Sequence, residues 1–366
     1  MKRFIECSVP VTVCNLKCSY CYVGQQNRKL GKLPVFNRTP EEIAKALSIE
    51  RLGGISLISI TGSGETLIPK EVPAIVSNIL KQGHFVNVTT NGTLTRRFKQ
   101  IIEMSESCCS RLHISFSLHY TELIKNKLLD VFFDNVKYVR DAGCSILVQI
   151  NLSDEYIAHW DDIKDLVRKE TGAAPQVALT RDESVRPFKI MTSLSDEKYV
   201  QLGQEMHSPL FDFTVKNFNK KQKGFCYAGA WSAKLDLATG SMSGCYSFGI
   251  NQNIFENINR PIRFEPIGKN CPFDYCFNSS HFLSLGTIPA LNTPTYGQLR
   301  NRTEATWYSQ EVRSFLNQKL SDDNDLLSAN AQQYYNAKYF LISKIQRINR
   351  KVFYVLQHLK KRARLK

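Results

Sequence analysis

Short apolar runs rich in β-branched residues recur through the first two hundred residues, at 9–13, 55–61, 85–90, 112–118, 146–152 and 176–180. Between them, apolar positions three and four apart predict helices over 41–50, 72–82, 96–104, 128–142 and 161–170. Glycines punctuate the junctions, as at Gly53-Gly54, Gly83, Gly92 and Gly143. Strand and helix alternating at this spacing predict βα units and a parallel sheet. Six units are too few for a complete eight-fold barrel. The expected fold is therefore α/β, a partial (β/α)6 TIM-like barrel over residues 1–210.

The pattern changes near residue 210. From 211 to 290 the chain is rich in Gly, Asn, Phe and Cys, and helical periodicity is weak. Such a segment builds little core of its own and reads as a small domain that needs an internal staple. Residues 291–366 form a C-terminal extension. In it, 321–325 is a polar loop, and a helical pattern then runs from about residue 329 to the end. Leu341, Ile345, Ile348, Val352, Val355 and Leu359 fall at alternating spacings of four and three, one continuous face of an amphipathic helix.

Composition narrows the class. Among 366 residues, 43% are apolar and 22% charged, ordinary globular values that exclude a disordered chain. No run of 18 apolar residues occurs, so no membrane-spanning helix is expected. The first 13 residues lack a full apolar run and a small-residue cleavage site, so a cytoplasmic protein is expected. The net charge of +15 is uneven, because ten Lys and Arg residues and no acid follow Asp325. Three readings of this basic helix stand side by side. It packs on the body with a solvated polar face, or it lies peripherally on an anionic membrane at the inner face. The third, nucleic-acid binding, lacks interleaved aromatics and any known motif.

Eleven cysteines, an odd and clustered set, do not suit a secreted disulfide scaffold. Cys14, Cys18 and Cys21 stand in C-N-L-K-C-S-Y-C, directly after the first predicted strand. Loops at the carboxyl ends of parallel strands are where such folds carry their sites. Three close thiolates hold three irons of a [4Fe–4S] cluster and leave the fourth iron open. A zinc site, or chance spacing, is the plain alternative.

C-x3-C-x-Y-C after strand one resembles the signature of the radical S-adenosylmethionine (radical SAM) enzymes, and the resemblance covers roughly residues 1–210. It implies that Cys14, Cys18 and Cys21 bind the cluster. The open iron then chelates the amino and carboxylate groups of S-adenosylmethionine (SAM), and Tyr20 lies against its adenine. One electron, from an external flavodoxin- or ferredoxin-type donor, cleaves SAM to a 5′-deoxyadenosyl radical that abstracts hydrogen from carbon. After strand two, Thr61-Gly62-Ser63-Gly64-Glu65-Thr66 resembles the family's G-G-E-P motif, which accepts the SAM ammonium; Ser63 and Thr66 are departures. This assigns Gly62, Gly64, Glu65 and Thr66 to SAM binding. Asn91, in Thr-Asn-Gly after strand three, and Ser117, on strand four, match further SAM-site positions. Asn151, at the end of strand five, is a polar residue that could point into the barrel. His119 replaces the acid common in the family, and is a candidate base or substrate contact.

Cys226, Cys245, Cys271 and Cys276, spaced C-x18-C-x25-C-x4-C, include a predicted hairpin turning at Thr239-Gly240. Four such thiolates suit zinc or a [4Fe–4S] cluster equally. Downstream of a radical SAM barrel they resemble a Twitch domain, the shortened relative of SPASM, which implies one auxiliary [4Fe–4S] cluster. Of the remaining cysteines, Cys7 and Cys109 read as packing thiols. Cys108 and Cys144 read the same way, or as hydrogen-atom donors of the kind radical SAM epimerases use, although they precede strands four and five, at the wrong end of a barrel. The expected substrate is a carbohydrate or glycan that is epimerised or dehydrogenated. The alternatives are a ribosomal peptide and, from another class, a non-catalytic iron–sulfur or zinc protein. With Cys14 so near the start, no fused peptide-leader module is expected.

Overall fold

The computed structural model describes the backbone of all residues except 247, 277, 278 and 364–366, and side chains except at 247, 277–280 and 350–366. Six parallel strands lie side by side in chain order: β1 (Phe4–Val9), β2 (Leu57–Gly62), β3 (Phe85–Thr90), β4 (Leu112–Leu118), β5 (Ser145–Leu152) and β6 (Gln176–Leu179). Helices Val72–Lys81, Thr95–Ser105, Leu129–Asp141 and Trp160–Thr171 connect β2 through β6. Neighbouring parallel strands in strict sequence order, with helical crossovers, are the progression of a partial TIM-like barrel.

Side chains alternate across each strand. Ile58, Ile60, Val86, Val88, Ile114, Phe116, Ile146 and Val148 are buried under the helices. The alternate positions carry Ser59, Asn87, Ser115 and Gln149. Asn87 donates to Ser59 Oγ (3.0 Å) and accepts from Ser115 Oγ (2.8 Å), so the barrel interior is a polar ladder rather than a filled apolar core.

Beyond β6, β7 (Arg181–Asp182) and β8 (Lys189–Ile190) pair as a separate ribbon, and helix Pro209–Asn217 runs across residue 210. The chain then returns to the other edge of β1. There β9 (Ser232–Asp236) pairs parallel to β1, Phe4 opposite Ser232, and β10 (Ser241–Ser243) and β11 (Asn251–Asn253) follow antiparallel. The cysteine-rich segment is thus built onto the barrel sheet, in the order β11-β10-β9-β1-β2-β3-β4-β5-β6. The hairpin read at Thr239-Gly240 is present, with Gly240 at φ +78°.

Two elements differ from their sequence reading. The first strand, expected at 9–13, runs over Phe4–Val9. Pro10 cannot continue the ladder, and the carbonyls of Val11 and Val13 instead accept from Gly64 N–H (2.7 Å) and Glu65 N–H (2.9 Å). Charged Glu6 hid the strand; it is buried and accepts from the Tyr246 hydroxyl. The single helix expected over 41–50 is two, Pro40–Ala46 and Ile49–Leu52, because the Ser48 side chain caps the second by accepting from Arg51 N–H.

The extension closes the amino ends of the strands. Trp307 C=O accepts from Ile146 N–H (2.9 Å), Gln176 donates to Arg300 C=O (2.8 Å), and Phe315 stacks on Phe85 (3.9 Å). Arg300 is buried, its guanidinium 3.6 Å from the Tyr296 ring centre. The C-terminal helix, Ala329–Ala363, docks through Tyr339 and Ser343, both 4% exposed, while Leu341, Ile345 and Ile348 point outward. The helix thus packs on the body, as one of the three readings expected, but among the described side chains it does so through the side opposite Leu341, Ile345 and Ile348.

Candidate active site

At the carboxyl ends of β2 to β5, the loop after β1 closes over a cavity of about 230 Å³. Cys14, Cys18, Tyr20, Cys21, Gly62, Gly64, Glu65, Thr66, Asn91, Ser117, His119 and Asn151 all line it. Residues separated by up to 137 positions in the chain are brought to one wall because parallel strands present all their carboxyl ends on one side.

The β2 loop lies directly on the cysteine loop. A Cβ on Gly64 would sit 2.0 Å from the Val13 carbonyl oxygen, and one on Gly62 2.7 Å from Val11, so both positions demand glycine. Gly62 N–H donates to Thr66 Oγ1 (2.8 Å), which tightens the turn. Glu65 is buried and accepts from Thr90 Oγ1 (2.6 Å), Asn91 N–H (2.8 Å) and Leu67 N–H (3.0 Å). Burial pushes its carboxyl above the ordinary range, opposed by those three donors. In this arrangement Glu65 fastens the β2 loop to the end of β3.

A second brace joins β3 to the cysteine loop. Asn91 Nδ2 donates to Asn15 Oδ1 (2.8 Å) and lies 3.9 Å from Cys14 Sγ, and Asn15 donates to Thr93 Oγ1 (2.8 Å). Gly92 takes φ +76°, and a Cβ there would stand 2.6 Å from the Phe132 ring.

A third brace holds the aromatic between the cysteines. The Tyr20 hydroxyl is 2.7 Å from His119 Nδ1 and 2.8 Å from the Tyr156 hydroxyl. His119 is therefore a ring partner of Tyr20, not a solvated loop histidine. Burial drives its pKa down to about 4, so it is neutral at pH 7. Glu155 accepts from Ser19 (2.9 Å) and Thr121 (2.8 Å), and Glu122 accepts from Lys17 N–H (2.8 Å). Asn15, Thr93, Glu122, Glu155 and Tyr156 escaped the sequence reading. Asn15 lies inside the cysteine motif at a position the motif leaves open; the others are ordinary polar residues, and only the tertiary structure brings them to the loop.

The donor set fits a multi-iron cluster. Burial, and then the neighbouring Cys14 and Cys21, push the Cys18 thiol up to about 12. Burial also raises Cys14. Cys14 and Cys18, raised in this way, become favourable thiolates only beside compensating positive charge, which iron supplies. Among the described residues, no three His, Cys, Asp or Glu side chains converge as the ligands of one ion. A cubane instead takes one thiolate per iron.

In the second group, Cys226 lies beside Cys271 and Cys276, whose proximity adds to burial in raising its pKa. The Cys226 backbone pairs with Gly268 (3.0 and 3.2 Å). Cys245 follows β10, next to Gly244, whose Cβ would fall 3.1 Å from Gly229 Cα, so the two loops pack backbone on backbone. Arg347 of the C-terminal helix donates to the Cys271 carbonyl (3.0 Å).

Cys108 and Cys144 are not brought to the cavity. Cys108 sits with Cys109 in the 3-10 turn Glu106–Arg111 before β4, and Cys144 precedes β5; all three are buried at the amino ends of the strands. This corrects their candidacy as hydrogen donors, since the whole strand length separates them from the site. Cys109 shares a hydrogen bond with Cys144, which lowers the Cys109 pKa to about 7 and raises that of Cys144. Cys7 is buried on β1.

Residues 8–167 match the model of the Radical SAM superfamily. The chain is 28% identical over 261 residues to a probable GTP 3′,8-cyclase of Pyrobaculum aerophilum, covering 63% of this chain and 80% of that protein. It is 23% identical over 250 residues to the antilisterial bacteriocin subtilosin biosynthesis protein AlbA of Bacillus subtilis, covering 64% of this chain and 53% of AlbA. Among solved structures, Streptococcus suis SuiB shares the fold at a TM-score of 0.50 and 16% identity, over 70% of this chain and 64% of SuiB. The chain thus spans a little under two thirds of SuiB and about half of AlbA. Over residues 8–167, then, the chain is similar to the radical SAM superfamily.

Proposed function

We propose that this protein uses SAM and a [4Fe–4S] cluster on Cys14, Cys18 and Cys21 to abstract hydrogen from a substrate carbon. The observation that carries it is the single cavity onto which the three thiols, the Gly62–Glu65 turn, Asn91 and Ser117 open. When bound and reduced by an external flavodoxin- or ferredoxin-type donor, the cluster supplies the electron that cleaves SAM to a 5′-deoxyadenosyl radical. The chain's own residues position and enclose. Gly64 admits the loops to contact, and Glu65 and Asn91 hold the β2, β3 and cysteine loops in register. Tyr20, pinned by His119 and Tyr156, offers a fixed aromatic face for adenine. Exposed backbone of the glycine turn accepts the SAM ammonium.

Cys226, Cys245, Cys271 and Cys276 are the proposed ligands of an auxiliary [4Fe–4S] cluster in a Twitch-like unit over 211–290, between the barrel (1–210) and the extension (291–366). The proximity of Cys226 to Cys271 and Cys276 supports that grouping. The proposed substrate is a glycan-type molecule, epimerised or dehydrogenated at one carbon. Its support is the hydroxyl and amide side chains that line the cavity, among them Thr12, Ser63, Thr89, Asn91, Ser117 and Asn151, which suit a hydroxyl-bearing ligand. A second reading, maturation of a ribosomal peptide, is favoured by the similarity to AlbA, named for bacteriocin biosynthesis.

Anaerobic reconstitution tests the scheme. About eight irons per chain are expected, with 5′-deoxyadenosine formed under dithionite and abolished by Cys14→Ala. Zinc in place of iron, or no SAM cleavage, overturns it. Incubation in D2O with a lipid-linked glycan or a candidate peptide separates the substrate readings: deuterium in a sugar carbon supports the first, and modification of the peptide alone supports the second.

A further inference from the structure

The C-terminal helix has two unlike sides. On one, Asn336 Oδ1 accepts from Lys269 N–H (2.8 Å), Asn270 donates to Asn336 C=O (2.6 Å), and Arg347 donates to Cys271 C=O (3.0 Å). Tyr339 (3.1 Å) and, at the margin, Lys338 (2.5 Å) reach Glu265. At 3.6 residues per turn, positions 336, 339, 343 and 347 form one stripe, and this stripe seats the helix on the body. Leu341, Ile345 and Ile348 fall half a turn away and are 67%, 58% and 61% exposed. In sequence the apolar spacing continues at Val352, Val355 and Leu359, which lie outside the described side chains.

An apolar stripe of this length in water is unfavourable without an occupant. Its flanks say which. No Asp or Glu follows Asp325; of the ten Lys and Arg residues that do, Lys338 and Arg347 are engaged with the body, Lys344 is free of it, and seven lie at 350–366, outside the described side chains. A second copy of this helix would cover the stripe but bring two strongly positive flanks together, with no acid to relieve them. A nucleic acid would satisfy the charge and leave the apolar stripe uncovered. An anionic lipid surface satisfies both, taking the apolar side chains into the acyl boundary while Lys and Arg reach the head groups. No described helix is long and apolar enough to cross a bilayer, so the contact lies in the plane of the surface.

We propose that this outward stripe docks the protein on an anionic membrane surface, with the body held by the opposite side of the helix. The proposal is independent of the iron–sulfur chemistry. Its outcome therefore reads apart from the function test. The open stripe also places the cysteine-rich segment, joined to the helix through Cys271, on the membrane side of the molecule.

The test is co-sedimentation of the full-chain reconstituted protein with vesicles of phosphatidylcholine, with and without phosphatidylglycerol. Binding only to the mixed vesicles is expected, weakening at high salt as surface charge is screened. Replacing three exposed residues together (Leu341→Asp, Ile345→Asp, Ile348→Asp) should lower partitioning by at least about tenfold, with iron content and thermal midpoint unchanged. Equal binding to neutral vesicles, no binding to either, or a dimer in sedimentation velocity that the triple variant dissolves would each overturn it. So would partitioning that the triple variant leaves intact.

Discussion

Tyr20 shows how one side chain carries several duties. It stands between Cys18 and Cys21 in the chain, and its hydroxyl closes a chain of hydrogen bonds with His119 and Tyr156. Tyr20→Phe keeps the ring and removes both bonds. Each lost bond costs about 1 kcal/mol or somewhat more. The ring should loosen, SAM affinity should fall roughly threefold to tenfold, and iron content should not change. Calorimetric titration of SAM together with an iron assay checks this; unchanged affinity would show that the hydroxyl network does not position the ring. The motif marked Tyr20 because of its spacing to cysteine. Nothing in the sequence linked it to Tyr156, which belongs to a segment of ordinary composition.

At the scale of elements, the cysteine-rich segment is held by backbone contact rather than by a core of its own. Gly229 takes φ +92°, and a Cβ there would meet the Glu265 carbonyl oxygen at 2.2 Å. Gly229 N–H donates to Ser232 C=O (2.7 Å), and Glu265 N–H donates to Gly229 C=O (3.0 Å). Gly229→Ala forces these loop segments apart beside Cys226 and Cys245. On the two-cluster reading, iron should fall from about eight to about four per chain, while SAM cleavage under dithionite persists. Loss of both would show that the two sites do not form independently. The hairpin itself was legible from Thr239-Gly240, because a turn is a local event. The pairing of β9 with β1 was not, since it joins residues 228 positions apart.

For the whole molecule, acid is the revealing stress. His113 lies inside the barrel against Tyr308, 4.8 Å between ring centres, and burial, then the nearby Arg300, lowers its pKa to about 3. His281 falls to about 3 for the same two reasons. Both are neutral in the folded chain, whereas in the unfolded chain they titrate near 6.5. Stability is therefore full above about pH 6.5 and is lost as pH falls towards about 3. The loss is up to about 1.4 kcal/mol per pH unit for each histidine. Urea unfolding across this range should show the decline, and His113→Gln should flatten it by about one proton's share. An unchanged slope would show that His113 titrates alike in both states.

Much of this protein is local and so was readable from its sequence. Apolar alternation placed β2 to β6 and their helices almost to the residue, because each strand buries its own alternate side chains. The spacing of Cys14, Cys18 and Cys21, and the order of the glycine and Asn-Gly turns along the strands, marked the site, because a parallel sheet collects successive loops at one end. Long-range decisions were left to the tertiary structure. It started β1 at Phe4 by burying Glu6 against Tyr246, closed the barrel floor with Trp307 and Phe315, and put Cys108 and Cys144 at the far end from the cavity. It also turned Leu341, Ile345 and Ile348 outward. Periodicity declares that a helix has an apolar face; what that face meets depends on contacts with residues far away in the chain, which no local pattern encodes.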